Sequence, residues 1–138
     1  MRIKHLDKKN ALSIISASKK QMIYTLKLIS TDESAFNIIR NIYECFRMLG
    51  DALLVSEGKL LEDHIEQIKT LEKLGIQTTR PIKIVDSLRK MRHNINYYGY
   101  TPSKLEADDA ISFAKECYNI VFEKVKEIID SQSEKRFI

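Results

Sequence analysis

The chain offers few places where a helix must end, and this limits the folds that it can adopt. It contains four Gly and two Pro in 138 residues, so turns are scarce and the elements between them are long. Apolar residues recur at three- and four-residue spacing throughout, and no stretch shows the alternation that is typical of a strand. The sequence therefore predicts an all-α protein.

Start and stop signals divide the chain into four long helices and one short helix. The predicted boundaries are Asp7 to Ile29, a capping box of Ser30 and Glu33 to Gly58, Leu60 to Leu74, Thr79-Arg80-Pro81 to Tyr98, and a capping box of Ser103 and Glu106 to Asp130. Short connections favour antiparallel neighbours, so we expect an up-and-down bundle with the short third helix appended. The length fits one domain over residues 1–138, with residues 131–138 expected to form a loose tail.

The composition argues against membrane, disulfide and metal functions. No apolar run approaches the ~20 residues that span a membrane. Charged residues follow Met1 where a signal peptide would be apolar, so a cytoplasmic protein is expected. Cys45 and Cys117 stand singly in apolar stretches without a CxxC motif, which indicates buried thiols. We expect no metal and no cofactor.

Positive charge is concentrated in two of the predicted helices. The chain has a net charge of +4, yet residues 1–29 hold seven basic residues against one acidic residue, a net charge of +6. Residues 80–92 hold five basic residues against one, a net charge of +4, and the remaining segments together are acidic. A molecule polarised in this way is expected to attract phosphate-rich ligands or an acidic protein partner.

The segment from Arg92 to Tyr98 is the clearest candidate for a functional site. It combines a cation suited to phosphate, an imidazole able to act as acid or base, two amides and two phenol rings. Helical spacing places a set of residues together on a face that adjoins the apolar stripe of this helix: Val85, Arg89, Arg92 and Asn96. Arg92 is therefore expected to border the core.

Two segments occur in an order and spacing that match a known family pattern. The first holds Tyr43-Glu44-Cys45-Phe46 and Asp51-Ala52-Leu53-Leu54 with Gly58 and His64, and the second is Arg92-His93-Asn94-Ile95-Asn96-Tyr97 ahead of an Ala-rich last helix. Over about residues 38–129 the chain resembles the HEPN domain superfamily. The resemblance implies a dimeric helical bundle that binds RNA or nucleotide, cleaves RNA, or accompanies a separate nucleotidyltransferase in a toxin–antitoxin style pair.

One feature departs from the ribonuclease members of that family, which carry the motif R-x4-6-H. The positions after Arg92 that could complete this motif are two tyrosines and a glycine, Tyr97 to Gly99, so the motif His is replaced by Tyr97. His93 is adjacent to Arg92 and one helical turn beyond Arg89, which leaves an alternative Arg/His pair. Tyr is a poor substitute base, because its unperturbed pKa is about 10.

These observations predict a set of ligand- or phosphate-binding residues: Arg89, Arg92, Asn96, Tyr97 and Lys19. Lys19 interrupts the apolar stripe of the first helix and must find a partner or reach the edge of the protein. A dimer cleft shared by Lys19, Arg89 and Arg92 would satisfy it. His64 stands in acidic surroundings and is expected to be a surface residue.

Three functions are left open by the sequence. The first is an RNA- or nucleotide-binding module that partners a nucleotidyltransferase, with Arg92 on phosphate, His93 and Asn96 assisting, and Tyr97 stacking. The second is a metal-independent endoribonuclease in which Arg92 and His93 are catalytic. The third is a structural module in which the Arg92 segment maintains a homodimer.

Overall fold

The computed structural model describes residues 2–3, 7–60 and 64–132, and within them the chain forms a bundle of five α-helices. The helices are α1 (Lys8–Thr25), α2 (Ala35–Ser56), α3 (His64–Glu72), α4 (Ile84–Tyr98) and α5 (Lys104–Asp130). The prediction of an all-α bundle is confirmed. The tail beyond Gln132 and the side chain of His64, for which the sequence predicted a surface position, lie outside the described residues.

Two contacts between distant residues define the direction of the long helices. Lys8 Nζ donates to the backbone carbonyl of Asp130 (3.1 Å), so the start of α1 lies beside the end of α5. The backbone N–H of Lys104 donates to Asp32 Oδ1 (2.7 Å), so the start of α5 lies beside the loop between α1 and α2. Arg40, near the start of α2, bonds Asn96, near the end of α4. The long helices α1, α2, α4 and α5 therefore run up, down, up and down.

Helix α2 lies at the centre of the bundle and packs against each of the other four helices. Apolar residues cover most of its circumference, as is expected of a helix surrounded by neighbours. Phe46 on α2 contacts two rings of α5, Phe113 with ring centroids 5.2 Å apart and Tyr118 at 5.5 Å edge-on. The core is thus organised around the α2–α5 contact.

Helix α1 is shorter than predicted, and its buried stripe includes two polar residues, Ser18 and Thr25. Its buried residues recur with heptad spacing: Ala11, Ile15, Ser18, Met22 and Thr25. The predicted end at Ile29 is wrong. After Thr25 the backbone forms hydrogen bonds to the third preceding residue, such as Leu28 N–H to the Thr25 carbonyl, and then leaves the helix. The side chain of Ile29 is 82% exposed.

The predicted capping box of Ser30 and Glu33 is also wrong. Helix α2 begins at Ala35 with Ser34 as its N-cap residue. The Ser34 hydroxyl donates to the Ile29 carbonyl (2.8 Å) and accepts from the Thr31 N–H (2.9 Å), so it closes the loop instead of capping the helix. By contrast, the capping box of Ser103 and Glu106 at the start of α5 is confirmed.

Two further predicted boundaries differ from the structure. Lys59–Leu60 (β2) forms a short antiparallel pair with Arg2–Ile3 (β1), so the third helix starts at His64 and not at Leu60. Thr79 does not cap the fourth helix, because its hydroxyl donates to the Glu116 carboxylate (3.1 Å). Helix α4 begins at Ile84 after a turn in which the Ile84 N–H bonds the Pro81 carbonyl.

Candidate binding surface on helix α4

The two halves of α4 have different environments. Val85 and Leu88 in the first half are buried, whereas no residue between Arg89 and Tyr100 is buried. The helix ends at Gly99, whose φ of 66° is the left-handed conformation that glycine adopts without strain. The Tyr100 N–H bonds back to the Asn94 carbonyl (3.1 Å) and closes this end. The second half of α4 is thus a regular helix that lies at the protein surface.

Arg92 borders the core, at the place where the helical spacing put it. Its guanidinium carbon lies 5.7 Å from the ring centroid of Tyr43, a fully buried residue of α2. Burial raises the pKa of the Tyr43 hydroxyl, and the positive charges of Arg92 and Arg47 partly oppose this effect. The cation–π contact holds the Arg92 side chain against α2 and limits its freedom to move.

Arg89 is part of a small ion-pair group on the same helix. Its Nε lies 2.8 Å from Asp86 Oδ1, and Lys90 Nζ lies 3.5 Å from the other oxygen of that carboxylate. The hydrogen bond from Arg89 holds the pKa of Asp86 below its ordinary value, and the charge of Lys90 contributes to this shift. Two cations share one anion, so the group keeps a net positive charge.

His93 packs against the tyrosines at the end of the helix. Its ring centroid is 4.7 Å from that of Tyr97 and 5.8 Å from that of Tyr98. Both tyrosines are among the most exposed large side chains, 69% for Tyr97 and 77% for Tyr98. The rings are tilted by 41° in the first pair and by 66° in the second, so the three form an aromatic cluster that faces solvent. Since successive helical residues point about 100° apart, His93 and Arg92 lie on different sides of the helix.

Asn96 has a partner that the sequence did not indicate. Its Oδ1 accepts a hydrogen bond from Arg40 Nη1 (3.0 Å), and the Arg40 guanidinium lies over the Phe36 ring at 5.0 Å. Arg40 and Asn96 are 56 residues apart, so helical spacing along the chain carries no signal of their contact. Arg40 therefore joins the surface of α4 to the start of α2.

Lys19 belongs to a different pair of helices. Its Nζ lies 4.5 Å from the ring centroid of Phe122, so the Lys19 side chain rests on α5. Arg92 and Arg89, by comparison, contact Tyr43 of α2 and Asp86 of α4. The contacts of the described residues do not bring Lys19 together with the two arginines in one chain. The dimer cleft that was expected to unite them stays a prediction.

The two cysteines are buried free thiols, as the sequence indicated. Burial raises the pKa of Cys45 to about 12, so the thiolate does not form under ordinary conditions. In the part of the chain that the structure describes, no group of three His, Cys, Asp or Glu side chains is placed to hold a metal ion. Over the same residues, no helix is both long and apolar enough to cross a membrane.

Comparison with protein-family models, with curated proteins and with solved structures finds no match to this chain.

Proposed function

We propose that this chain is a HEPN-type module that binds RNA or nucleotide through the exposed half of α4. The residues of this α4 surface are Arg89, Lys90, Arg92, His93, Asn96, Tyr97 and Tyr98. The observation that supports the proposal most is the exposed aromatic cluster of His93, Tyr97 and Tyr98 on a helix that also carries three cations. Proteins that bind single strands combine aromatic rings, on which bases stack, with cations that follow the phosphates.

The cations of this surface are suited to different contacts. Lys90 is exposed, and its ammonium group presents donors to solvent beyond its 3.5 Å ion pair with Asp86. Arg92 is held over the Tyr43 ring, and a guanidinium stacked on a ring still presents N–H donors at its edge. Because Arg89 shares Asp86 with Lys90, a phosphate would compete with this carboxylate for both side chains.

Binding is better supported than cleavage. Cleavage through the 2′-hydroxyl needs an acid or base beside the cation that stabilises the phosphorane. His93 instead packs its ring on Tyr97 and Tyr98, and its side chain leaves the helix about 100° away from that of Arg92, which contacts Tyr43. We therefore propose that His93 extends the stacking surface. The pairing with a separate nucleotidyltransferase rests on the family resemblance and belongs to the same proposal.

Fluorescence anisotropy with a labelled single-stranded RNA tests this function. Tyr97→Ala and Tyr98→Ala should each weaken binding by about 1–3 kcal/mol, the range for one stacked base. Lys90→Ala should lower affinity and also reduce the dependence of affinity on salt. Tyr24→Ala is a matched control, since Tyr24 is 63% exposed on α1 and should leave binding unchanged.

The same RNA, recovered after incubation, tests the cleavage alternative. Intact RNA with the parent protein and with His93→Ala is the expected result. Fragments that appear with the parent and disappear with His93→Ala would instead establish an endoribonuclease. Equal affinity of the Tyr97→Ala, Tyr98→Ala and Tyr24→Ala variants for RNA would remove the proposed binding surface.

A homodimer contact is the second candidate function, and it concerns the end of the bundle where α4 ends and α5 begins. Ile29 and Leu105 are highly exposed there, where the Lys104–Asp32 and Tyr100–Glu106 bonds join the start of α5 to the α1–α2 loop and to the chain just beyond α4. Exposed apolar residues suit a protein contact better than a nucleic acid. Leu105→Ser should then convert a dimer to a monomer in sedimentation measurements. A protein that is monomeric before the substitution excludes this contact.

A further inference from the structure

A small cavity between α1 and α5 lies apart from the α4 surface, and Lys19 forms part of its wall. It has a volume of about 170 Å³ and opens to solvent between the two helices. Its lining consists of Lys19, Met22, Ile23, Leu26, Ala114, Lys115, Tyr118 and Asn119. Met22, Ala114 and Tyr118 are buried, so the floor is apolar, whereas Lys115 and Asn119 lie at the exposed rim.

The two lysines of this cavity have uncompensated charges. Within the described residues, neither Lys19 nor Lys115 forms an ion pair with a carboxylate. The positions three and four residues away on their own helices carry no acidic residue either. Lys20 adjoins Lys19, and helix α1 contains no Asp or Glu that would oppose the positive potential at the cavity mouth.

One polar contact of Tyr118 fixes part of the cavity floor, and this contact points away from the cavity. The Tyr118 hydroxyl lies 2.6 Å from that of Ser18 inside the core, which leaves the ring as part of the cavity wall. Lys19 is positioned by the Phe122 ring, 4.5 Å from its ammonium group. This contact holds a charge at the edge of an apolar space without neutralising it.

We infer that this cavity binds a small amphipathic anion, a monocarboxylate with an apolar body about the size of one aromatic ring. The volume sets the size, because an apolar cavity of about 150 Å³ accommodates benzene and sites for drug-sized ligands start at about 300 Å³. A nucleotide is too large for the cavity. The carboxylate would lie between the ammonium groups of Lys19 and Lys115, with the ring against Met22, Ala114 and Tyr118.

Sodium benzoate is the probe, followed by amide chemical shifts of the labelled protein at constant ionic strength. Saturable shifts at Met22, Ile23, Ala114 and Asn119 are expected, with a dissociation constant on the order of 1 mM. Benzyl alcohol has the same ring without the charge and should bind roughly fivefold more weakly. Inorganic phosphate has charge without a ring and should not produce saturable shifts at Ala114.

Lys19→Met keeps an unbranched side chain on Phe122 and removes the charge, so it should abolish the preference for benzoate over benzyl alcohol. Lys115→Met should reduce the same preference and serves as a second variant if Lys19→Met does not fold. Lys20→Met, an exposed neighbour outside the cavity, is the control and should retain the parent affinity. Shifts that do not saturate, equal binding of the two ring compounds, or an equal loss in Lys20→Met would each overturn the inference.

Discussion

The hydroxyls of Ser18 and Tyr118 lie 2.6 Å apart in the core and join α1 to α5. Ser18 donates its one hydrogen to the backbone carbonyl of Cys45 on α2 (2.8 Å), so Tyr118 must donate to Ser18. Burial raises the pKa of the Tyr118 hydroxyl, which keeps this donor protonated. One buried chain of hydrogen bonds therefore fixes the mutual positions of three helices.

This chain of bonds predicts an ordered set of stability losses. Ser18→Ala should lower the free energy of unfolding by about 1–3 kcal/mol, because it leaves the Tyr118 hydroxyl buried without its acceptor. Tyr118→Phe removes the donor together with the bond and should cost only about 1 kcal/mol. Urea denaturation measures both losses, with Ser13→Ala, an exposed serine on the same helix, as the control.

The double variant distinguishes this network from simple packing. If Ser18 and Tyr118 act through their mutual bond, the loss in Ser18→Ala/Tyr118→Phe is smaller than the sum of the two single losses. Strictly additive losses would mean that the two hydroxyls stabilise the protein independently.

Gly50 permits the close crossing of α2 and α3. A Cβ atom at this position would meet the carbonyl oxygen of Gln67 and come within 2.8 Å of its carbonyl carbon. Gly50→Ala should thus destabilise the protein by about 1–3 kcal/mol, although alanine favours a helix by about 1 kcal/mol over glycine. The melting temperature measures this loss. Asn37→Ala, a substitution at an exposed position of α2, is the control and should leave the melting temperature unchanged or raise it slightly. An increased melting temperature in Gly50→Ala would contradict the close approach of α2 and α3 at this position.

The class of fold was predictable from the sequence, because rare turn residues and continuous apolar spacing admit few alternatives to a helical bundle. Two of the boundaries that failed lie where two signals compete. Ser30 and Ser34 both place a hydroxyl before α2. The helix starts after Ser34 because the loop folds back and the Ser34 hydroxyl bonds the Ile29 carbonyl. Similarly, Thr79 is a residue type that often caps a helix, but its hydroxyl bonds the carboxylate of Glu116, which is 37 residues away.

The candidate site was predictable only in part. Helical spacing placed Arg92 beside the core, since the position depends on neighbours along a single helix. The Arg40–Asn96 contact and the position of Lys19 on Phe122 depend on how helices pack, which spacing along one helix does not encode. Lys19 was assigned to the same ligand as Arg92, whereas the structure places it beside a separate cavity.

The buried cysteines predict low thiol reactivity in the native protein. A thiol reagent at about pH 8 attacks thiolate, and burial with a pKa of about 12 at Cys45 leaves almost none. Cys117 is equally buried and contacts the Arg80 carbonyl through its sulfur at 3.8 Å. Absorbance with a chromogenic disulfide reagent should show slow reaction of both thiols before unfolding and rapid reaction in urea. Rapid labelling of the native protein would show that this part of the core opens readily.

Asp86 predicts a pH dependence of stability. The hydrogen bond from Arg89 is the main reason that the pKa of Asp86 is lowered in the folded protein. The contribution of Asp86 to the free energy of unfolding is therefore fully present above the unfolded pKa of 3.8 and is lost as the pH falls through the lower folded pKa. The carboxylate is about one-third exposed, which keeps the effect small. Urea midpoints at about pH 7 and about pH 5 should agree, and the midpoint at about pH 3 should fall less in Asp86→Asn than in the parent protein.

The same substitution connects stability with the proposed binding surface. Asp86→Asn removes the carboxylate that occupies Arg89 and Lys90, so both cations become available to phosphate. RNA affinity at neutral pH should therefore increase, and the increase should diminish at high salt, where the contribution of phosphate contacts falls. Glu33→Gln changes net charge by the same amount at an exposed position without an ion pair among the described residues, and it is the control. An equal increase in both variants would attribute the effect to net charge alone, whereas an increase confined to Asp86→Asn would locate the phosphate beside Arg89 and Lys90.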